Sequence, residues 1–161
     1  MILRQAETAD ALRLGEIGFD AWKSSAFGMN DAGRTDAKKL RREFVQFCME
    51  KPETIVLALA GSEYLGWGAR ETSDQTIPDL WVAPAVQGRG VGAALLAALE
   101  EAIAIEGFDY AEFETYTGNA GAVRFYSRLG YEPVWRGVKF TASLNYDLDK
   151  IRFRKMLPAA A

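Results

Sequence analysis

The sequence contains no histidine and only one cysteine, Cys48, among its 161 residues. Without histidine the chain cannot form a Ser-His-Asp triad, a Cys-His pair or a histidine-ligated metal site. A single cysteine allows no intrachain disulfide and no thiolate zinc site, so we expect no bound metal. Cys48 falls on the apolar stripe of a predicted helix, which favours a position in the core over a nucleophilic role.

Long apolar runs are also missing from the sequence. No run reaches the roughly 20 residues of a membrane-spanning helix, and the first seven residues lack the apolar stretch of a signal peptide. The 19 basic and 22 acidic residues give a net charge of −3, whereas nucleic-acid binding requires a basic face. We therefore expect a cytoplasmic protein that binds neither membranes nor nucleic acid.

The length and composition are those of an ordinary globular domain, with 49% apolar and 25% charged residues. We expect residues 1–161 to form a single domain, and we find no repeat or linker. Helical spacing predicts helices from about 8 to 22, around 40–48, from 91 to 106 and from 119 to 130. Apolar alternation predicts strands at 1–5, 54–60, 64–72, 77–82, 111–117, 131–138 and 150–157. Residues 24–34 have the composition of a loop. This order favours an α/β protein with a central mixed sheet covered by helices.

A glycine-rich loop lies between the strand at 77–82 and the following helix. Gly88, Gly90 and Gly92 alternate there. Glycines let a backbone approach a ligand closely, and a helix N-terminus offers unpaired N–H groups and the positive end of the helix dipole. The loop therefore predicts an anion site, most naturally for a phosphate or pyrophosphate, although a loop that only needs positive φ would look the same.

Two nucleotide-binding patterns can be compared with this loop. A P-loop needs Lys-Ser/Thr after its last glycine, which is absent here. The dinucleotide fingerprint fits Gly88, Gly90 and Ala93, with Asp109 near the place of a ribose-binding acid. However, that fingerprint normally sits in a tight turn after the first strand of a large parallel sheet. Here five residues separate the strand from Gly88, and two of the later strands follow each other without a helix. A dinucleotide-binding protein is therefore the weaker alternative.

The chain resembles the GNAT superfamily of N-acetyltransferases in two motifs. The segment Gln87-Gly88-Arg89-Gly90-Val91-Gly92 is similar to the acetyl-CoA motif Arg/Gln-x-x-Gly-x-Gly/Ala of that family. Downstream, Asn119 is followed seven residues later by Tyr126, which resembles the second family signature. The order of elements matches from end to end. The resemblance implies the GNAT fold, an α+β structure with a mixed, mostly antiparallel sheet flanked by about four helices.

The resemblance also implies a function and a set of site residues. Members transfer acetyl from acetyl-CoA, a co-substrate, directly to an amine, which here would be a small molecule or a peptide. By this resemblance Gly88 to Ala93 cradle the pyrophosphate, and Asn119 binds the pantetheine arm. Tyr126 would be the general acid that protonates the departing thiolate. Residues implied to bind the cofactor are Leu80, Trp81, Val82, Gln87, Gly88, Arg89, Gly90, Val91, Gly92, Ala93 and Asn119.

The general base is not fixed by the motifs. Because histidine is absent, the candidates are carboxylates that act directly or through water. Asp79 begins the strand that leads into the site, where family members often carry an acid, and it is the first candidate. Glu114, which shares one strand face with Glu112, is the second.

The acceptor pocket is predicted less closely by the sequence. The strands at 54–60 and 64–72, joined by a turn at Gly61-Ser62, are predicted to form a hairpin. The resemblance places the pocket between the first helix, this hairpin and the loop before the last strand, with residues 137–149 as a flexible wall. Its candidate aromatic residues are Trp22, Phe27, Trp67, Trp81, Tyr116 and Phe140. Two further possibilities stay open: a catalytically silent acyl-CoA-binding sensor on the same fold, and a homodimer.

Overall fold

A computed structural model of the protein describes residues 1–31, 33–72 and 74–160. Within these ranges it has an α+β architecture with four main helices and one short helix. The helices are α1 (Ala11–Ser24), α2 (Ala26–Asn30), α3 (Ala37–Glu50), α4 (Val91–Ile105) and α5 (Ala120–Arg128). The strands are β1 (Ile2–Gln5), β2 (Ile55–Ala60), β3 (Glu63–Ala69), β4 (Asp79–Val82), β5 (Tyr110–Tyr116), β6 (Glu132–Thr141) and β7 (Tyr146–Met156). The predicted fold class is confirmed.

The strands form two antiparallel sheets rather than one continuous sheet. The first has the order β1-β2-β3-β4 and the second the order β5-β7-β6. The β2–β3 hairpin was predicted from its two apolar runs, and it turns at Gly61, whose φ of +59° favours glycine. No helix in the described ranges is long and apolar enough to cross a lipid bilayer.

Among the described residues, backbone pairing between the two sheets occurs only next to the first residues of β4 and β5. Ile77 N donates to Glu112 O at 2.9 Å, and Glu112 N donates to Gln75 O at 3.0 Å, which makes a short parallel bridge. Among the described residues this pairing goes no further, so the two strands separate after the bridge. The edge of β4 from Asp79 to Val82 is therefore free of a neighbouring strand on the side of β5.

The core is divided between the two faces of the first sheet. On one face α1 and α3 cover a cluster that includes Leu14, Cys48 and Trp67, each 0% exposed. On the other face α4 and α5 cover clusters built around Leu95, Leu99 and Phe113, among others. Side chains alternate along a strand. Trp81 of β4 accordingly packs with the α1 and α3 cluster, while Leu80 and Val82 pack on the side of α4.

The structure corrects one prediction about an irregular segment and refines another. The segment 24–34 contains the short helix α2, which Ser25 caps by accepting a hydrogen bond from Gly28 N at 3.1 Å. Residues 137–149, predicted as a flexible wall, belong mostly to the long hairpin of β6 and β7. Four of them, Thr141, Ser143, Leu144 and Leu148, line the cavity described below. The hairpin turns near Asn145, which has a φ of +60°.

Candidate active site

The predicted anion site lies at the N-terminus of α4. Gly88 and Gly90 have φ values of +76° and +85°, a region that side chains with a Cβ rarely adopt. A Cβ at either position would meet no atom within 4 Å, so the backbone conformation, not a lack of space, requires glycine. Gly90 is the N-cap residue of α4 and offers no side chain to its first turn.

The first turn of α4 presents unpaired backbone donors. The first hydrogen bond of the helix runs from Ala94 N to Gly90 O at 3.1 Å, so helical geometry leaves the N–H groups of Val91, Gly92 and Ala93 without a helical partner. The helix dipole adds positive potential at the same place. These groups can hold an anion such as a phosphate.

Gly92 and Gln87 have structural roles in positioning this loop. A Cβ on Gly92 would lie 3.2 Å from Cζ of Phe125, so glycine there lets α4 pack closely against α5. Gln87 Nε2 donates to Val82 O at 3.1 Å and ties the loop to the end of β4. The side-chain amide of Gln87 is therefore engaged with the protein, while Arg89 beside it is exposed.

A cavity of about 400 Å³ lies on the other side of β4, beneath α1 and α3. Asp79 and Trp81 both line it. Trp81 Nε1 donates to Asp79 Oδ1 at 2.9 Å. Burial raises the pKa of Asp79 to about 6, the Trp81 hydrogen bond opposes this rise, and the charge of Glu71 adds to it. A carboxyl with a pKa near 6 can accept a proton at neutral pH.

The second base candidate, Glu114, also lines the cavity but is held in ion pairs. It accepts from Lys139 Nζ at 2.9 Å and from Arg152 Nη2 at 2.7 Å. Burial alone would raise the pKa of Glu114, but these two cations outweigh burial and lower it. Glu112 is similarly bound to Arg154 at 3.0 Å. The lowered pKa makes Glu114 a weaker base than Asp79.

The aromatic wall of the cavity contains four of the six residues nominated from the sequence: Trp22, Phe27, Trp81 and Tyr116. The nomination of the other two was wrong. Trp67 is 0% exposed in the core, where Nε1 donates to Leu14 O, and Phe140 is 61% exposed on β6.

Helix α3 also contributes to the cavity wall, which its sequence pattern did not indicate. Phe44 and Phe47 line the cavity, and Phe44 meets Trp81 edge-on with 5.2 Å between ring centroids. Their helical spacing predicted a core stripe, and the same stripe forms both core and cavity wall.

Three buried polar atoms belong to residues that line the cavity and have no hydrogen-bond partner among the described residues. They are Trp22 Nε1, Glu43 Oε2 and Thr141 Oγ1. Buried polar groups are usually paired, because an unpaired one costs about 1–3 kcal/mol. Three such atoms around one cavity are typical of a site that binds a polar molecule.

Asn119 caps α5, as its position in the sequence predicted. Its Oδ1 accepts from Ala122 N at 3.3 Å, and the residue also lines the cavity. Asn119 can therefore both cap α5 and contact a ligand in the cavity.

Tyr126 lies on the opposite side of β4 from the cavity. Its ring packs against Phe113, with 3.6 Å between centroids, and against Phe125 at 5.1 Å. It is not among the described residues that line the cavity. Burial raises the pKa of Tyr126, and the negative charge of Asp79 raises it further, so the phenol stays protonated at neutral pH.

The opening between β4 and β5 separates the Asp79 carboxyl, which lines the cavity, from Tyr126, which packs in the core cluster on the other side of β4. Asp79 belongs to the cavity beneath α1 and α3, and Tyr126 belongs to the side covered by α4 and α5. The free edge of β4 runs between them. Two reactants can meet in such an opening, each from its own side.

Comparison with known proteins agrees with this architecture. Residues 20–131 match the model of the Acetyltransferase (GNAT) family. The chain therefore belongs to the GNAT acetyltransferase family, as the two motifs indicated. It is an acetyl-CoA-dependent acyltransferase. No curated protein matches the sequence.

Solved structures share the fold at low sequence identity. PaiA N-acetyltransferase of Thermoplasma acidophilum, in complex with coenzyme A, has a TM-score of 0.76 and 16% identity over 96% of this chain and 98% of its own. YncA of Salmonella typhimurium, solved with its cofactor acetyl-CoA, has a TM-score of 0.69 and 20% identity over 100% and 96%. A ribosomal-protein-alanine N-acetyltransferase of Brucella melitensis has a TM-score of 0.71 and 20% identity over 98% and 100%.

The dinucleotide-binding alternative is wrong. That fingerprint belongs to the first turn of a large parallel sheet, whereas both sheets here are antiparallel and only the short bridge at Thr76 and Glu112 is parallel. The family match supports the same conclusion.

Proposed function

We propose that the protein transfers an acetyl group from acetyl-CoA directly to the primary amine of a small molecule or peptide, with Asp79 as general base and Tyr126 as general acid. The observation that carries the proposal is the opening between β4 and β5, which has Asp79 on one side and Tyr126 on the other. The acceptor enters the cavity beneath α1 and α3, and acetyl-CoA binds on the side of α4.

Two independent observations on the described residues support CoA binding. The N–H groups of Val91 to Ala93 are free of helical partners and can hold the pyrophosphate. The free edge of β4, from Leu80 to Val82, offers backbone groups other than the Val82 carbonyl, which accepts from Gln87, to the amide-containing pantetheine arm, as an added strand would. Asn119 borders the cavity close to the start of α5 and can contact the same arm. PaiA and YncA were solved with CoA and acetyl-CoA, which supports this assignment.

Acetyl-CoA supplies an activated acyl group whose sulfur is a good leaving group. Asp79 accepts one proton from the ammonium of the acceptor, which frees the nitrogen lone pair for attack. A backbone N–H of β4 donates to the thioester oxygen as negative charge develops there. The new C–N bond forms as the C–S bond breaks, and Tyr126 donates to the leaving sulfur. The second proton of the nitrogen returns to the Tyr126 phenolate, and Asp79 releases its proton to solvent, so both side chains are restored and CoA leaves as the thiol.

The experiment that tests this function combines the protein with acetyl-CoA and a panel of amines. We expect free CoA and acetylated amine in equal amounts, measured by chromatography and mass spectrometry, with no acetyl group left on the protein after quenching. Tight CoA binding without transfer to any amine would instead favour the catalytically silent sensor. A stable acetyl-protein adduct would contradict direct transfer.

A further inference from the structure

A row of opposite charges crosses one face of the second sheet and ends at the cavity. Along β5 and β7, Glu112 lies opposite Arg154 and Glu114 lies opposite Arg152. Both pairs are ion pairs, with N–O distances of 3.0 and 2.7 Å. The next position on this face places Lys150 opposite Tyr116, which carries no charge that could balance a lysine.

Lys150 is thus a cation without an ion-pair partner among the described residues. It is half-buried and lines the cavity together with Tyr116 and Leu148. Burial lowers the pKa of Lys150, the positive charge of Lys139 lowers it too, and the negative charge of Glu114 opposes both effects. A partly desolvated ammonium costs free energy unless an anion lies close to it.

The other charged groups that the described residues place in the cavity wall are three acids, two of which are paired with cations. Glu114 is neutralised by Lys139 and Arg152, and Glu43 Oε1 lies 3.4 Å from Lys39 Nζ. Asp79 has a hydrogen bond from Trp81 but no ion pair among the described residues. Within the part of the chain that the structure describes, the cavity therefore presents one unpaired cation, Lys150, and one unpaired acid, Asp79.

We propose that the acceptor is a free amino acid with an apolar side chain, whose carboxylate is held by Lys150 while its amino group faces Asp79. This inference rests on the proposed acetyl transfer and names its substrate class. An α-amino acid carries an amine and a carboxylate on one carbon, which complements the two unpaired charges of the wall. Its side chain lies against the aromatic residues, chiefly Trp22, Phe27 and Phe44.

The test compares each amino acid with the same molecule lacking its free carboxylate. L-phenylalanine, L-tryptophan, L-leucine and L-methionine are assayed beside their decarboxylated amines and their amides. We expect kcat/KM to be about 10–100-fold higher for each amino acid, the size of a charge-assisted hydrogen bond. Binding of the amino acids in the presence of CoA, measured by calorimetry, gives a readout that does not depend on turnover.

Variants at Lys150 test whether this side chain causes the preference for free amino acids over the corresponding amines and amides. Lys150→Met should lower kcat/KM for L-phenylalanine about 10–100-fold, mainly through KM, and change that for phenethylamine less than about twofold. Lys150→Arg should keep most of the preference, because it keeps the charge. The control is Lys155→Met on the opposite face of β7, where Lys155 is paired with Glu100. It should leave the preference unchanged.

The inference is overturned if amines or amides are acetylated as well as the free amino acids, or if Lys150→Met in a folded protein keeps the preference. Efficient transfer to phenylalaninamide would favour a peptide N-terminus as acceptor. In those cases acetyl transfer itself stands. Absence of both CoA binding and transfer to any of the twelve compounds would overturn the proposed function together with this inference. Melting temperature and CoA affinity of every variant show that it is folded.

Discussion

The hydroxyl of Tyr126 belongs to a residue whose ring is part of the core, so its chemical role must be separated from its packing role. Tyr126→Phe keeps the ring contacts with Phe113 and removes only the hydroxyl. We expect kcat to fall about 100-fold, the typical contribution of a general acid, while acetyl-CoA affinity stays nearly unchanged. Steady-state kinetics and calorimetry measure the two quantities.

A tyrosine that serves only the core would give the reverse result. The variant would then turn over normally per folded molecule and show at most a small change in melting temperature. A fall in kcat of less than about threefold would mean that water or another residue protonates the thiolate.

Asp79 should control the acid side of the pH–rate profile. Because its pKa is about 6, we expect kcat/KM to rise with pH through an apparent pKa near 6 and then to level off. Asp79→Asn keeps an acceptor for Trp81 Nε1 but cannot take a proton. The variant should lose about 100-fold in rate at pH 8 and lose the acidic limb. A limb that persists in the variant would assign the titration to another group.

The same substitution should stabilise the protein. The folded-state pKa of Asp79, about 6, lies above its unfolded value, so the ionised carboxyl costs stability above pH 6 and this cost disappears below about pH 4. Asp79→Asn should therefore raise Tm by about 2–6 °C at pH 8 and leave it nearly unchanged at pH 4. Calorimetric scans at both pH values measure the difference in Tm between the variant and the unmodified protein. An equal increase in Tm at pH 4 and pH 8 would exclude desolvation of the charged carboxyl as its cause.

At the scale of elements, the loop before α4 is the segment on which binding of the CoA phosphates should depend. Gly90→Val places a branched side chain at a φ of +85°, where the backbone should approach phosphate. Gly107→Val is the matched control, since Gly107 has a φ of +93° just after the other end of α4 and also has no atom within 4 Å of a Cβ. Both should lower Tm similarly. Only Gly90→Val should weaken CoA binding, by about 10-fold or more. Equal CoA affinity in both variants would make Gly90 an ordinary turn residue.

The sequence correctly predicted the helices and strands that bury one apolar face or begin with a recognisable N-cap residue. The strands β2 and β3, the helix α4 and the N-cap at Asn119 all follow from apolar periodicity or a capping residue. The predicted strand at 131–138 ended too early because β6 is exposed along most of its length, so no apolar alternation marks it. The helix α2 has only five residues, too few for helical periodicity to be visible.

The arrangement of the site depends on long-range contacts that local patterns do not contain. Asp79 could be nominated from its place before an apolar strand, and Tyr126 from its spacing to Asn119. Nothing local shows that β4 and β5 separate after one bridge, or that the stripe of α3 faces a cavity as well as the core. The unpaired state of Lys150 likewise follows from strand register, because its neighbours Arg152 and Arg154 are paired.

For the whole molecule, acetyl-CoA should act as a stabilising ligand. A ligand that binds only the folded state raises its stability by about 2.7 kcal/mol at 100 times its Kd. We expect Tm to rise with acetyl-CoA concentration by several degrees, while NAD at the same concentrations gives no shift. Scanning fluorimetry over a concentration series measures both. Stabilisation by NAD and not by CoA compounds would contradict the assignment of the glycine loop.

The position of the lone cysteine has a practical consequence for enzymology. Cys48 is 0% exposed, and burial raises the pKa of its thiol to about 12, with the charge of Asp79 adding to the rise. Such a thiol is almost never a thiolate at pH 8, so it should not react with aromatic disulfide reagents. A chromogenic thiol reagent can therefore follow product CoA continuously with no signal from the native enzyme. Denaturant should then release one reactive thiol per chain, and the rate of that colour change would report how fast the native protein opens.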